Sequence, residues 1–169
     1  MTHFVVMGVS GCGKTSVGQG LSAELGADFG LVFIDGDDLH PAANIAKMSR
    51  GEPLNDADRA PWLRDVGQHL ARHKSPVVIG CSALKRSYRD IIRATAPQTA
   101  FLHLAAPKPV LAARVAQRKD HFMPPDLLDS QYAALEPLGP DESGTVISID
   151  QPLEAVISEA TTYVEKRLA

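Results

Sequence analysis

Five short apolar blocks punctuate the chain, and each is followed by a longer stretch with helical spacing. The blocks are His3-Phe4-Val5-Val6-Met7, Leu31-Val32-Phe33-Ile34, Pro76-Val77-Val78-Ile79-Gly80-Cys81, Phe101-Leu102-His103-Leu104 and Thr145-Val146-Ile147-Ser148-Ile149. The first is apolar and β-branched enough for a buried strand, and all five read as strands. Between them the period changes to that of a helix. Val17, Leu21 and Leu25 are four apart in Thr15 to Leu25, with Gly26 as the expected stop. Trp62, Val66 and Leu70 share a face of Asp58 to His73. Arg86 to Ala96 follows the third strand, and Pro109 to Arg118, with Leu111 and Val115 on its apolar side, follows the fourth. A last helix, Pro152 to Leu168, carries a stripe of Leu153, Val156, Ile157, Ala160, Val164 and Leu168 that suits packing rather than chemistry. Strand–helix alternation without repeat or linker predicts an α/β fold with a parallel sheet, in a single domain over 1–169.

Composition narrows the function classes. The chain has 169 residues, 44% of them hydrophobic and 22% charged, with a net charge of −3. Such a balance argues against general binding of nucleic acid or anionic membranes. An anionic substrate would have to be met by local basic clusters. No apolar run is long enough to span a bilayer, no signal peptide is expected, and two cysteines do not make a disulfide framework. The expected setting is the cytoplasm.

Chemistry enters at the end of the first strand. Gly8-Val9-Ser10-Gly11-Cys12-Gly13-Lys14-Thr15 fits G-x-x-x-x-G-K-[ST], between a strand and a helix as a phosphate-binding P-loop requires. Glycines let the backbone N–H groups wrap an anion at the helix N-terminus. Lys14 is then placed to bridge the β- and γ-phosphates of ATP, and the Thr15 hydroxyl to ligate Mg²⁺. Asp35 and Asp37, two apart at the end of the second strand, share a side; one would hold Mg²⁺ or its water and the other accept a hydroxyl proton. Asp38 suits the cap of a helix starting near Leu39. Two basic groups stand out: Lys85-Arg86 with Arg89, and Arg114 with Arg118 one turn later and Lys119 beside it. A bound polyanion or a solvated basic face would each account for them. His69 and His73 lack metal-ligand company, whereas His40 and His121 fall in loops near the expected site. The stretch Lys119 to Pro125 has the makeup of a nucleotide lid or of a plain surface loop.

Further motifs carry a resemblance. Asp35-Gly36-Asp37-Asp38-Leu39-His40-Pro41 with Asn44-Ile45 and Lys47-Met48, then Gly51-Glu52-Pro53-Leu54-Asn55-Asp56 with Asp58-Arg59 and Pro61-Trp62-Leu63, resembles gluconate kinases. So do Cys81-Ser82-Ala83-Leu84-Lys85 with Tyr88-Arg89-Asp90, His121-Phe122, Leu128 with Ser130-Gln131, and Asp150-Gln151-Pro152-Leu153-Glu154. The resemblance implies ATP-dependent phosphorylation of gluconate to 6-phosphogluconate. It also implies a nucleoside-monophosphate-kinase-like three-layer fold related to shikimate kinase, with five parallel strands, a lid over about residues 118–136 and a homodimer. Carried onto this chain, Gly11, Cys12, Gly13, Lys14, Thr15 and Ser16 hold the phosphates, with Arg114 on the nucleotide side and Arg118 closing over them. Asp37 lies near the acceptor hydroxyl, Asp35 serves the metal, and Arg59 and Lys85 meet the sugar acid, with His40 and His121 at the acceptor. Cys12 stands where the family often has Ser, a change that backbone N–H binding should tolerate. The rivals are a kinase for another small acid, such as shikimate, and a nucleotide-binding regulatory module without turnover.

Overall fold

A computed structural model describes residues 1–117 and 125–169. In chain order these form β1 (His3–Met7), α1 (Lys14–Phe29), β2 (Val32–Asp35), a 3₁₀ turn (Gly36–Leu39), α2 (Ala42–Ser49), α3 (Asp56–Arg72) and β3 (Val77–Gly80). There follow α4 (Arg86–Thr95), β4 (Thr99–Ala105), α5 (Lys108–Ala116), α6 (Pro125–Ala134), β5 (Gly144–Ser148) and α7 (Leu153–Leu168). The strands form one parallel sheet in the order β2-β3-β1-β4-β5. β1 is therefore central, and the loop that leaves it opens beside the end of β3.

Alternation along β1 divides the core into two layers. Phe4 and Val6 pack with Val17 and Leu21 of α1 and Val156 and Ala160 of α7 on one face. Val5 and Met7 pack with Trp62, Val66 and Leu70 of α3 and Ile92 of α4 on the other. Helix, sheet and helix thus make the three layers. Of the stripe read on the last helix, Val156, Ala160 and Val164 are buried while Leu153 is exposed.

Three local expectations are corrected. α1 does not stop at Gly26; it runs to Phe29 and ends at Gly30, whose left-handed φ of 71° and N–H bond to the Gly26 carbonyl make it the C-cap. No helix starts near Leu39 with Asp38 as its cap. Asp35 caps instead, accepting from the Asp37 N–H at 3.0 Å, and the 3₁₀ turn ends because Pro41 drives His40 into an extended conformation. α3 begins at Asp56, two residues early, because Asn55 and Asp58 form a capping box. α6 is an element that the hydrophobic pattern did not single out.

Arg89 belongs to neither a solvated face nor an anion site. It is fully buried, and its guanidinium meets the Glu142 carboxylate through Nε at 2.7 Å and Nη2 at 2.9 Å, with Arg93 Nη1 adding a third bond at 2.9 Å. The remaining donors reach the carbonyls of Ala83, Leu84 and Pro137. This cluster ties α4 to the loop after β3 and to the approach to β5. Burial alone would raise the Glu142 carboxyl, but bonds from Arg89, the Gly139 N–H and Arg93 outweigh it and bring it down to about 2. Glu142→Gln is expected to cost about 3–5 kcal/mol of stability, since it strands a buried guanidinium. The folded value lies below the unfolded 4.5, so the contribution is present above pH 4.5 and lost as pH falls toward 2. Urea unfolding of both proteins across that range checks it: the gap should narrow in acid, and a constant gap would contradict the account.

Candidate active site

The loop from Gly8 to Lys14 needs its glycines for specific reasons. Gly8 has a φ of 147°, and a Cβ there would meet Cys12 Sγ at 2.7 Å and the Leu104 carbonyl at 2.8 Å. Gly13 has a φ of 99° and leads directly into α1. The Gly8 N–H donates to the Ser82 carbonyl at 3.2 Å, which fastens the loop to the end of β3. Lys14 Nζ spans the loop, donating to the carbonyls of Gly8 at 3.1 Å and Val9 at 3.2 Å. Thr15 is exposed at the first turn of the helix.

Two adjoining cavities open at the carboxyl ends of the strands, where ligands of such sheets collect. One, of about 130 Å³, is lined by Lys14, Thr15, Asp35, Asp37, Ser82 and Gln131 among others. The second, of about 280 Å³, is lined by Arg59, Ser82, Lys85, Tyr88 and Gln131 with several apolar side chains. Ser82 and Gln131 form the common wall. Gln131 reaches across from α6, accepting from the Ser10 N–H at 2.6 Å and donating to the Ser10 hydroxyl at 2.8 Å.

Asp37 rides on the 3₁₀ turn with its carboxylate toward the cleft. Partial desolvation on the cleft floor and then the Asp35 carboxylate raise its pKa, while His40 and Lys14 pull it down. Trp62 holds the turn by donating from Nε1 to the Gly36 carbonyl at 2.8 Å, in a buried contact. His40 stacks on Trp62 with ring centroids 4.1 Å apart, its Nε2 4.0 Å from Asp37 Oδ1.

The two cations of the second cavity have different partners. Lys85 Nζ lies 3.3 Å from Asp56 Oδ1, and the Tyr88 hydroxyl donates to the same oxygen at 2.5 Å. Hydrogen bonds from Tyr88 and Lys85 keep the Asp56 carboxyl below the ordinary range, and the Asp56 bond raises Lys85. Arg59 donates to the Leu54 carbonyl at 2.7 Å and sits over the Tyr88 ring, 5.7 Å from its centre.

The expected site residues therefore fall into groups. Gly11, Cys12, Gly13, Lys14, Thr15 and Ser16 form the loop and the first turn of α1; Asp35 and Asp37 face that loop; Arg59 and Lys85 line the neighbouring cavity. His40 lines neither cavity and stands behind Asp37. Arg114, on α5, donates to the carbonyls of Ile149 and Gln151 and so braces the connection from β5 to α7. Arg118 and His121 lie outside the described residues. Both cysteines are buried and outside any disulfide, and burial pushes the Cys81 thiol up to about 12. Asp56, Tyr88, Trp62 and Gln131 were not expected at the site individually. The motifs that contain them were the available signal; their contacts join residues far apart in sequence.

Comparison with known proteins agrees with this geometry. Residues 4–138 match the AAA domain family. The chain is 48% identical over 165 residues to the thermosensitive gluconokinase of Escherichia coli K12, covering 95% of this chain and 86% of that one. It is 41% identical over 167 residues to the thermoresistant gluconokinase of the same organism, covering 96% and 93%. It superposes on the crystal structure of a gluconokinase from Sinorhizobium meliloti 1021 with a TM-score of 0.88 at 45% identity, over 99% of this chain and 93% of that one. A P-loop opposite paired aspartates, a second cavity bearing two cations, and likeness along nearly the whole chain lead to one conclusion: this protein belongs to the gluconokinase family of P-loop kinases.

Proposed function

We propose that this protein transfers the γ-phosphoryl group of ATP to the terminal hydroxyl of D-gluconate, giving 6-phospho-D-gluconate and ADP. The observation that carries the reading is the junction of the two cavities at Ser82 and Gln131. There the phosphate cradle adjoins, across Ser82 and Gln131, a chamber lined by Arg59 and Lys85. An open-chain acid with its carboxylate on those cations can extend its far hydroxyl toward Asp37.

In the reaction, Gly11, Cys12, Gly13, Lys14, Thr15 and Ser16 hold the ATP phosphates. Lys14 exchanges its carbonyl partners for phosphate oxygens and stabilises charge developing between the β- and γ-phosphates. Asp37 takes the proton from the terminal hydroxyl; its oxygen bonds to the γ-phosphorus, and the bond from that phosphorus to the bridging oxygen of ADP breaks. Arg118 closes over the phosphates, His121 serves the acceptor, His40 acts on it through Asp37, and Arg114 serves the nucleotide side through the connection it braces. Among the described residues no group of three or more His, Cys, Asp or Glu side chains could hold a metal by itself. The Thr15 hydroxyl and the Asp35 carboxylate line one cavity and, as hard oxygen donors, would hold Mg²⁺ there. When bound, Mg²⁺ offsets charge on the β- and γ-phosphates. The reading also includes a single domain over 1–169 with a lid over residues 118–136, a homodimer and a cytoplasmic setting. No helix among the described residues is long and apolar enough to cross a membrane.

Phosphorus NMR of a reaction with MgATP and gluconate tests the assignment. A phosphomonoester on the terminal carbon is expected, and ATP left intact would contradict it. Lys85→Met tests how the acceptor is read. A charge-assisted hydrogen bond contributes about 1.5–3 kcal/mol. The gluconate KM should therefore rise about 10- to 100-fold while the ATP KM stays nearly unchanged. Wild-type protein that phosphorylates an uncharged polyol as well as gluconate would refute this role for the cations.

A further inference from the structure

Asn44 is 4% exposed, on α2 behind the turn that carries Asp37. Its Nδ2 donates to the Asp58 backbone carbonyl at 2.9 Å and meets His40 Nδ1 at 3.2 Å. A carbonyl only accepts, so the Asp58 bond fixes which end of the Asn44 side chain is the NH₂ group. The same NH₂ faces His40 Nδ1, which must then be the acceptor. Burial lowers the His40 pKa; Asp37 opposes this and Arg59 reinforces it, so the ring is neutral near pH 7. A neutral ring that accepts at Nδ1 carries its proton at Nε2. Nε2 is the atom that lies 4.0 Å from Asp37 Oδ1. Stacking on Trp62, with 16° between the planes, holds the ring at that angle.

We propose that Asn44 is a positioning residue: by donating to His40 Nδ1 it holds the imidazole in the Nε2–H tautomer, so that an N–H rather than a lone pair faces Asp37 from behind. A lone pair there would repel the carboxylate. At 4.0 Å the N–H dipole attracts Asp37 Oδ1 without a hydrogen bond and leaves the other carboxylate oxygen for the incoming hydroxyl. The functional half rests on Asp37 acting as the base; the tautomer half does not.

Long-range ¹H–¹⁵N NMR of histidine-labelled protein without ligands at pH 7 reads the tautomer. His40 is expected as Nε2–H. A proton on Nδ1, or on both nitrogens, overturns the proposal whatever the substrate is. Asn44→Asp replaces the donor by a carboxylate that only accepts, so His40 should acquire a proton on Nδ1. Its kcat should fall about 10- to 100-fold, the range for losing the partner that orients a functional histidine, with the ATP KM unchanged. Asn44→Ala, which supplies neither donor nor acceptor, should give a mixture of tautomers and a smaller fall. A normal kcat with the tautomer switched, or a reduced kcat with it unchanged, would overturn the role. Failure of the kinase reading is separate, since it appears as absent turnover in the wild type.

Discussion

Lys14→Ala should lose at least about 10²–10³ in kcat, the loss seen when a single preorganised group stabilising transition-state charge is removed. Phosphoryl transfer offers the protein little covalent work, so positioning and charge stabilisation carry most of the catalysis. The ammonium already spans the loop between the Gly8 and Val9 carbonyls. Its removal leaves those part-buried carbonyls beside an open cavity that water can enter, so the fold should survive. Circular dichroism and the unfolding midpoint should match the wild type while turnover collapses. Near-normal turnover in a folded variant would remove the phosphate assignment altogether.

Asp37→Asn should lower kcat by about 10²–10⁴, the range for losing a general base, with little change in ATP affinity. The amide nearly preserves shape and keeps an acceptor, but it cannot take a proton. Asp35 already spends one oxygen capping the turn through the Asp37 N–H, which holds it facing the loop. Asp37 makes no such backbone bond and opens to the cleft. That difference is why the proposed reaction gives the metal to Asp35 and the proton to Asp37. A collapse of ATP affinity in Asp37→Asn, with turnover of the bound complex preserved, would exchange the two roles.

Much of this was legible in the sequence because its rules are local. The P-loop needs glycines, a lysine and a hydroxyl at fixed spacing after a strand, and all are present. The five strands read correctly because a parallel sheet demands continuous apolar runs. Boundaries set by backbone geometry were harder. Gly26 and Gly30 both offer a helix stop, and only the left-handed φ at Gly30 selects between them. Asp38 has the chemistry of a cap, but Pro41 keeps His40 extended and no helix follows it there. Contacts across the fold left no local trace. Arg89 resembled Lys85 and Arg86 in sequence, yet its partner Glu142 lies 53 residues away and turns it into a core element. Gln131 meets Ser10 across 121 residues.

The central claim is that a phosphate cradle and a carboxylate-reading chamber act on one acceptor, and the acceptor itself tests it most directly. ADP release should be measured with MgATP across a panel of gluconate, other sugar acids, shikimate and an uncharged polyol, comparing kcat/KM. The account predicts gluconate foremost, other open-chain acids below it, and the polyol lowest by one to two decades, the size of one lost charge-assisted contact. Equal rates for the polyol, a preference for shikimate, or no ADP release with any acceptor would contradict it.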